Sequence, residues 1–208
     1  MYIFLHGIYI DDKIYVVNST SRYVWMEDFD MAVLWSGKRL RLRDAGLEDL
    51  DYIMELQADP ENSKYISAFP RDMQEAILAG QTGTRDLIAE SIETGKRYGY
   101  AMVNGADDTL FRTAEWTHIV VTKKGQGHGH ELMRLLKAWT FEGLRFHRAW
   151  LDCKEYNARA LHLYESEGMV REGIEREAVQ TDGVYEDLIV LSILDHEYEA
   201  RKQDGLEL

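Results

Sequence analysis

The sequence predicts an α/β fold built on a mixed, mostly antiparallel central sheet with helices on both faces. Three observations predict it. β-rich runs and turn residues alternate between positions 87 and 121 as a meander demands. Strand and helix patterns then alternate from 113 to 168, and the chain closes on two β-rich runs flanking Thr181-Asp182-Gly183, a strong hairpin signal.

Residues 1 to 36 carry extended-looking runs at Tyr2 to Ile10, Lys13 to Val17 and Tyr23 to Met26, broken by Asp11-Asp12 and Asn18-Ser19-Thr20-Ser21. These suggest a hairpin and a further strand, too short to stand as a domain. We expect 1–36 to be an accessory element that covers a face of the sheet or contributes to a homodimer interface. From Gly37 a compact domain is expected to run to Leu194. Leu40-Arg41-Leu42-Arg43 alternates as its first strand, and Asp44 to Asp51 opens a helix with acids in the first turn, where the positive dipole end favours them. Leu50, Ile53, Met54 and Leu56 give that helix its apolar stripe, and Asp59-Pro60-Glu61-Asn62 ends it. A second helix spans about Arg71 to Ala79 and stops at Gly80.

Strands follow at Leu87 to Ile92, Tyr98 to Asn104 and Thr113 to Val121. The next helix is read from Leu132, Leu135, Leu136 and Trp139 at i, i+3, i+4 and i+7. Ala149 to Cys153 reads as a buried parallel strand, with Cys153 a buried strand thiol. A helix from Asn157 and strands at Met169 to Val179 and Val184 to Leu194 complete the domain. The polar tail, 195–208, is expected to fray.

Between the third meander strand and its helix lies Thr122-Lys123-Lys124-Gly125-Gln126-Gly127-His128-Gly129. Alternate glycines remove every Cβ from the face that would meet a ligand, and the helix presents unpaired N–H groups and a positive dipole end. This is the signature of an anion cradle. It is not a Walker loop, because Gly129 is followed by His130-Glu131 rather than Lys-Ser/Thr. Nor is it the dinucleotide fingerprint, because the spacing is G-x-G-x-G.

Lys124 to Gly129 resembles the Q/R-x-x-G-x-G/A coenzyme A loop of the GNAT N-acetyltransferases, with Lys124 in place of Gln or Arg. Downstream, Asn157-Ala158-Arg159-Ala160-Leu161-His162-Leu163-Tyr164-Glu165-Ser166-Glu167-Gly168-Met169 resembles the family's N-x-x-A-x-x-L-Y-x-x-x-G-F segment, with Met169 for Phe. On a helix, Asn157 and Tyr164 would lie within roughly 20° of each other, two turns apart. The resemblance covers about Leu40 to Leu194, and the C-terminal strands look most like the RimJ/RimL and diamine acetyltransferase branch. It implies the GNAT fold and an acetyl-CoA-dependent N-acetyltransferase acting on a small or peptidic amine. The alternative is a catalytically silent CoA-binding module.

The resemblance assigns roles. Lys124, Gly125, Gln126, Gly127, His128, Gly129 and His130 would hold the pyrophosphate, with the backbone of Val120 and Val121 at the thioester. Asn157 would hold the coenzyme, and Tyr164 would protonate the departing sulfur. Asp59, Glu61, Tyr65 and Phe69 border the acceptor. For the base, Glu115 and His118 share a strand but differ in parity, so an unbulged strand would point them to opposite faces.

Composition narrows the partners. A net charge of −13 argues against a phosphate-neutralising nucleic-acid binder and leans towards cationic acceptors. The exception is Lys123 to Arg148, where six basic residues (123, 124, 134, 137, 145 and 148) face Glu131 and Glu142, a patch suited to a polyanionic coenzyme. Direct acyl transfer needs no metal, and two histidines at i, i+2 without a Cys or Asp partner make a poor zinc site. No apolar run is long enough to span a bilayer and no secretory signal is evident, so a cytoplasmic protein is expected. The acceptor stays open among polyamines, aminoglycoside-like amines, amino-acid analogues and protein N-termini.

Overall fold

The computed structural model describes residues 8–10, 13–17, 23–25 and 33–208. The chain divides into two compact units, 1–33 and 34–208. In the first, β1 (Ile8–Ile10), β2 (Lys13–Val17) and β3 (Tyr23–Trp25) form a three-stranded antiparallel sheet. The hairpin and further strand expected there are present. The Asp11-Asp12 turn, the Asn18 to Ser21 break and the start of the first run lie outside the described residues.

The second sheet has eight strands: β4 (Val33–Ser36), β5 (Leu40–Asp44), β6 (Thr84–Ser91), β7 (Arg97–Asn104), β8 (Thr113–Val121), β9 (Arg148–Lys154), β10 (Val170–Thr181) and β11 (Val184–Leu194). Their spatial order is β10-β11-β9-β8-β7-β6-β5-β4, and β8 with β9 is the parallel pair. The other registers described, from β5 through β8 and from β9 through β10, are antiparallel. The expected turn at Thr181-Asp182-Gly183 is there, with Asp182 and Gly183 both left-handed at φ 51° and 82°.

Helices cover both faces. On one lie α1 (Leu50–Ala58), the single turn α2 (Pro60–Ser63) and α3 (Arg71–Leu78), where Ile53, Leu56 and Ile77 pack on Ile88, Tyr100, Met102 and Val120. The opposite face takes α4 (His128–Ala138) and α5 (Ala158–Ser166). Leu132, Met133, Leu135 and Leu136 of α4 are fully buried there against Leu42, Val103, Trp116 and Leu151. Each such leucine contributes about 1.5–3 kcal/mol, so the stripe read from the sequence is what binds α4 to the sheet. A π-helical turn, Trp139–Gly143, extends it.

The tail does not fray. Asp195–Gln203 forms α6, whose Tyr198 is buried and stacks on Phe141 at 5.2 Å. Beyond it Glu207 reaches the fully buried Lys137 at 2.5 Å, and Lys137 also donates to the Glu167 carboxylate (3.0 Å) and carbonyl (2.8 Å). A polar composition suggested fraying because burying these charges pairwise requires partners scattered over seventy residues. Lys137 therefore leaves the expected coenzyme patch, and Arg134 beside it is likewise spent on Glu167 at 3.2 Å.

Candidate active site

The site begins where two parallel strands part. β8 and β9 pair only from Thr113↔Arg148 to Glu115↔Trp150. Beyond that point β8 has no ladder partner on β9, and a cavity of about 860 Å³ opens between Thr117–Val121 on one side and Asp152–Lys154 on the other. Just there β8 carries a bulge. Met102 pairs with His118 and Val103 with Trp116, leaving Thr117 unopposed.

The bulge corrects the expectation for Glu115 and His118. Glu115 pairs with Asn104 and His118 with Met102, positions of the same parity on β7. Both side chains are therefore directed to the α1–α3 face. Only His118 lines the cavity, because Asn104 Nδ2 takes up the Glu115 carboxylate at 3.0 Å. Burial pushes the His118 pKa down to about 4. Tyr100 meets its Nδ1 at 2.7 Å, and Phe69, expected at the acceptor side, lies against its ring at 5.6 Å.

Of the other acceptor candidates, Glu61 and Tyr65 line the cavity, while Asp59 caps α2 by accepting from the Glu61 N–H at 2.9 Å. Lys124 Nζ reaches Asn62 Oδ1 at 2.8 Å and Tyr156 reaches the Lys64 carbonyl at 2.9 Å. These two bonds tie the α2 segment across to the glycine loop and to the β9–α5 connection.

At the loop, Gly125 and Gly127 are left-handed at φ 77° and 78°, and Gly127 is the N-cap of α4. The backbone thus turns so that the first N–H groups of a three-turn helix face outward with no Cβ before them. Gly129 has ordinary backbone; its own Cβ would stand 3.2 Å from Leu163 Cδ2, so here glycine serves the contact of α4 with α5. Val120, Val121, Lys124, Gly125, Gly127, Gly129 and His130 line the cavity; Gln126 and His128 do not. Gln126 offers its carbonyl to Arg39 (3.3 Å), and His128 is buried against Tyr98 with ring centroids 4.4 Å apart. His130 is neither free nor solvent-facing alone, since Nδ1 meets Glu167 Oε1 at 2.8 Å. Although burial opposes its charge, Glu167 is held below the usual carboxylate range by Lys137, His130 and Arg134.

Asn157 is both a cap and a cavity residue: Oδ1 accepts from the Ala160 N–H at 3.3 Å while the side chain lines the opening. Tyr164 lines it from the interior. Burial raises its pKa further above the ordinary phenol value, with Cys153 and Asp152 adding to the effect, so the hydroxyl keeps its proton. Cys153 touches the same cavity, where burial pushes the thiol up to about 12 and leaves it inert.

Two site residues escaped the sequence reading. Asp152 lines the cavity from β9, and burial, with Glu115 and Glu175 near, pushes its carboxyl up to about 6. A single acid inside the apolar run 149–153 was the available signal. Arg159 lines the mouth from the first turn of α5 and, second to burial, lowers the pKa of Lys124. Lys124, Arg159 and the α4 N-terminus together give this end of the cavity positive charge. A long polyanionic coenzyme fits it, with Asn157 and Tyr164 further in. Among the described residues no group of three or more His, Cys, Asp or Glu converges as for a metal.

The family model for the acetyltransferase (GNAT) domain matches residues 39–170. The chain belongs to the GNAT acetyltransferase family. It is an acetyl-CoA-dependent N-acetyltransferase. Among GNAT relatives, a probable N-acetyltransferase, YjcK, of Bacillus subtilis is 26% identical over 174 residues, covering 76% of this chain and 95% of that protein. A spermidine N(1)-acetyltransferase of Vibrio cholerae is 30% identical over 95 residues, 45% of this chain and 55% of its own. In structure, the Vibrio cholerae spermidine N-acetyltransferase solved with CoA and spermine superposes with a TM-score of 0.70 at 24% identity, over 78% of this chain and 99% of that one. Likeness at that identity speaks for the GNAT fold.

Proposed function

We propose that the acceptor is a small aliphatic amine carrying more than one positive charge, of the polyamine class. It attacks the acetyl thioester directly in a ternary complex. The observation that carries this reading is the placement of Asp152 and Tyr164 on one cavity, a carboxyl and a phenol whose environments move their pKa values apart. As the amine nitrogen bonds to the acyl carbon and the C–S bond breaks, Asp152 takes the amine proton and Tyr164 supplies one to the sulfur. A carboxyl near 6 is largely ionised at neutral pH and still basic enough to accept. The cavity's other acids, Glu61 and Asp182, suit a second ammonium, and the net charge of −13 suits capture of polycations. The spermidine and spermine acetyltransferases among the relatives support the same class. We place the reaction in the cytoplasm and take 1–36 as an accessory element or homodimer contact.

The test is release of the CoA thiol from acetyl-CoA across spermidine, spermine, an aminoglycoside, an amino-acid amide and a peptide N-terminus. Polyamines should give the highest kcat/KM. A peptide or monoamine preferred over both polyamines would overturn the acceptor class, and Asp152→Asn at wild-type turnover would remove the proposed base.

A further inference from the structure

His118 is the buried imidazole lining the cavity from β8, and which of its nitrogens carries the proton decides what it can do there. Its partners fix the tautomer. Tyr100 is fully buried, and burial raises the pKa of its phenol, so the hydroxyl hydrogen is present and needs an acceptor. His118 Nδ1 stands 2.7 Å from the hydroxyl oxygen. The other polar group close by, the Gln57 amide, acts on the phenol in the sense of a donor, lowering its pKa against the effect of burial. The Gln57 oxygen accepts from the Phe69 N–H at 2.9 Å, and its amide nitrogen also donates to Gln74 Oε1 at 2.9 Å. Tyr100 therefore donates to Nδ1.

Resting on the acyl-transfer reading above, we propose that Tyr100 locks His118 as the neutral Nε2–H tautomer, making it a fixed hydrogen-bond donor to the cavity and not the base. A neutral imidazole has one N–H and one lone pair. With the lone pair at Nδ1 spent on Tyr100, the nitrogen that His118 can turn to the cavity bears a hydrogen. It suits an oxygen on which negative charge develops, as the acyl carbonyl does when an amine attacks. Burial keeps the ring from becoming a cation above about pH 4, so the donor is the same throughout the neutral range. Tyr100 is then a positioning residue, and Phe69 packs against the ring at 5.6 Å.

The direct measurement is a long-range ¹H–¹⁵N correlation on protein labelled at histidine, with His118 assigned by its loss in His118→Gln. The expected pattern is an unprotonated Nδ1 and a protonated Nε2, with and without CoA. A proton on Nδ1 would overturn the lock whatever the enzyme acetylates. Tyr100→Phe removes the donor to Nδ1 and should convert the signal to a mixture of tautomers; an unchanged tautomer there would also overturn it. Activity gives the second arm. His118→Leu should lose about 10² to 10³ in kcat, the usual effect of deleting such a donor, and His118→Gln, which puts an amide N–H near the place of Nε2, should stay at least about tenfold above it. Equal losses in the two folded variants would mark His118 as a base. Absence of thiol release with any amine would instead sink the acyl-transfer reading and leave the tautomer untouched.

Discussion

The two halves of the cavity are built on different principles. The coenzyme half, α4 with its glycine loop and α5, is made of backbone: left-handed Gly125 and Gly127, a helix start, and the cap of Asn157. The proposed acceptor half, under α1 to α3, is backed by buried side chains in relay, of which His118 reaches the cavity. Gln57 holds Phe69 and Gln74, Gln74 donates to Asp86, and Tyr100 holds His118. A coenzyme common to a family can be held by chain geometry, which tolerates changes in side chains. An acceptor has to be recognised by particular groups, and these need partners to stay neutral and aimed when buried.

The sharpest break in the comparison is at Tyr164, the cavity residue of the coenzyme half proposed above to protonate the leaving sulfur. Tyr164→Phe keeps the ring and its packing and removes one oxygen; kcat should fall by about 10² to 10⁴ while the dissociation constant for acetyl-CoA holds within a few-fold. Steady-state kinetics with calorimetric binding checks it, and wild-type turnover would remove Tyr164 from the chemistry. Next is the clasp behind α4 and α5. Lys137→Met leaves the carboxylates of Glu167 and Glu207 buried without their shared cation, at a cost of about 3–5 kcal/mol in urea unfolding. A loss under about 1 kcal/mol would show that the tail is not holding the coenzyme half together.

Gly127→Val tests whether the loop works by backbone alone. At φ 78° a β-branched residue carries about 1–3 kcal/mol of strain, and its Cβ would meet Arg39 at 3.2 Å. CoA binding should weaken at least about tenfold with the fold intact by circular dichroism. Gly129→Ala, at ordinary backbone angles and opposed only by a leucine methyl, should weaken it less. Equal effects would assign both glycines to helix packing.

The smallest effect is expected in the acceptor half. Burial pushes the Asp86 carboxyl up to about 7, above its value of 3.8 in the unfolded chain. The folded protein therefore binds the proton more tightly, and the stability this contributes is complete below about pH 4 and is lost as pH rises through about 7. Asp86→Asn should raise the melting temperature by a few degrees at pH 8 and leave it nearly unchanged at pH 4. The reverse dependence would mean that the carboxylate is stabilised as an anion by partners not yet identified.

What could be read in the sequence was what neighbours in the chain decide. The glycine spacing, the apolar stripe of Leu132, Leu135 and Leu136, the Asp182-Gly183 turn and the Asn157 to Tyr164 segment each depend on residues within two or three turns of one another, so periodicity and motif suffice. The bulge at Thr117, the entry of Asp152 into the cavity, the burial of Lys137 under Glu167 and Glu207, and the Tyr100 lock on His118 depend on strand register and on partners 18 to 70 residues away. Sequence determined that an anion cradle precedes a helix and that a phenol follows it. Only the tertiary structure decided which acid and which imidazole line the cavity, because the face of a strand reverses with a single unpaired residue and a buried charge is permitted only where its counter-charge arrives.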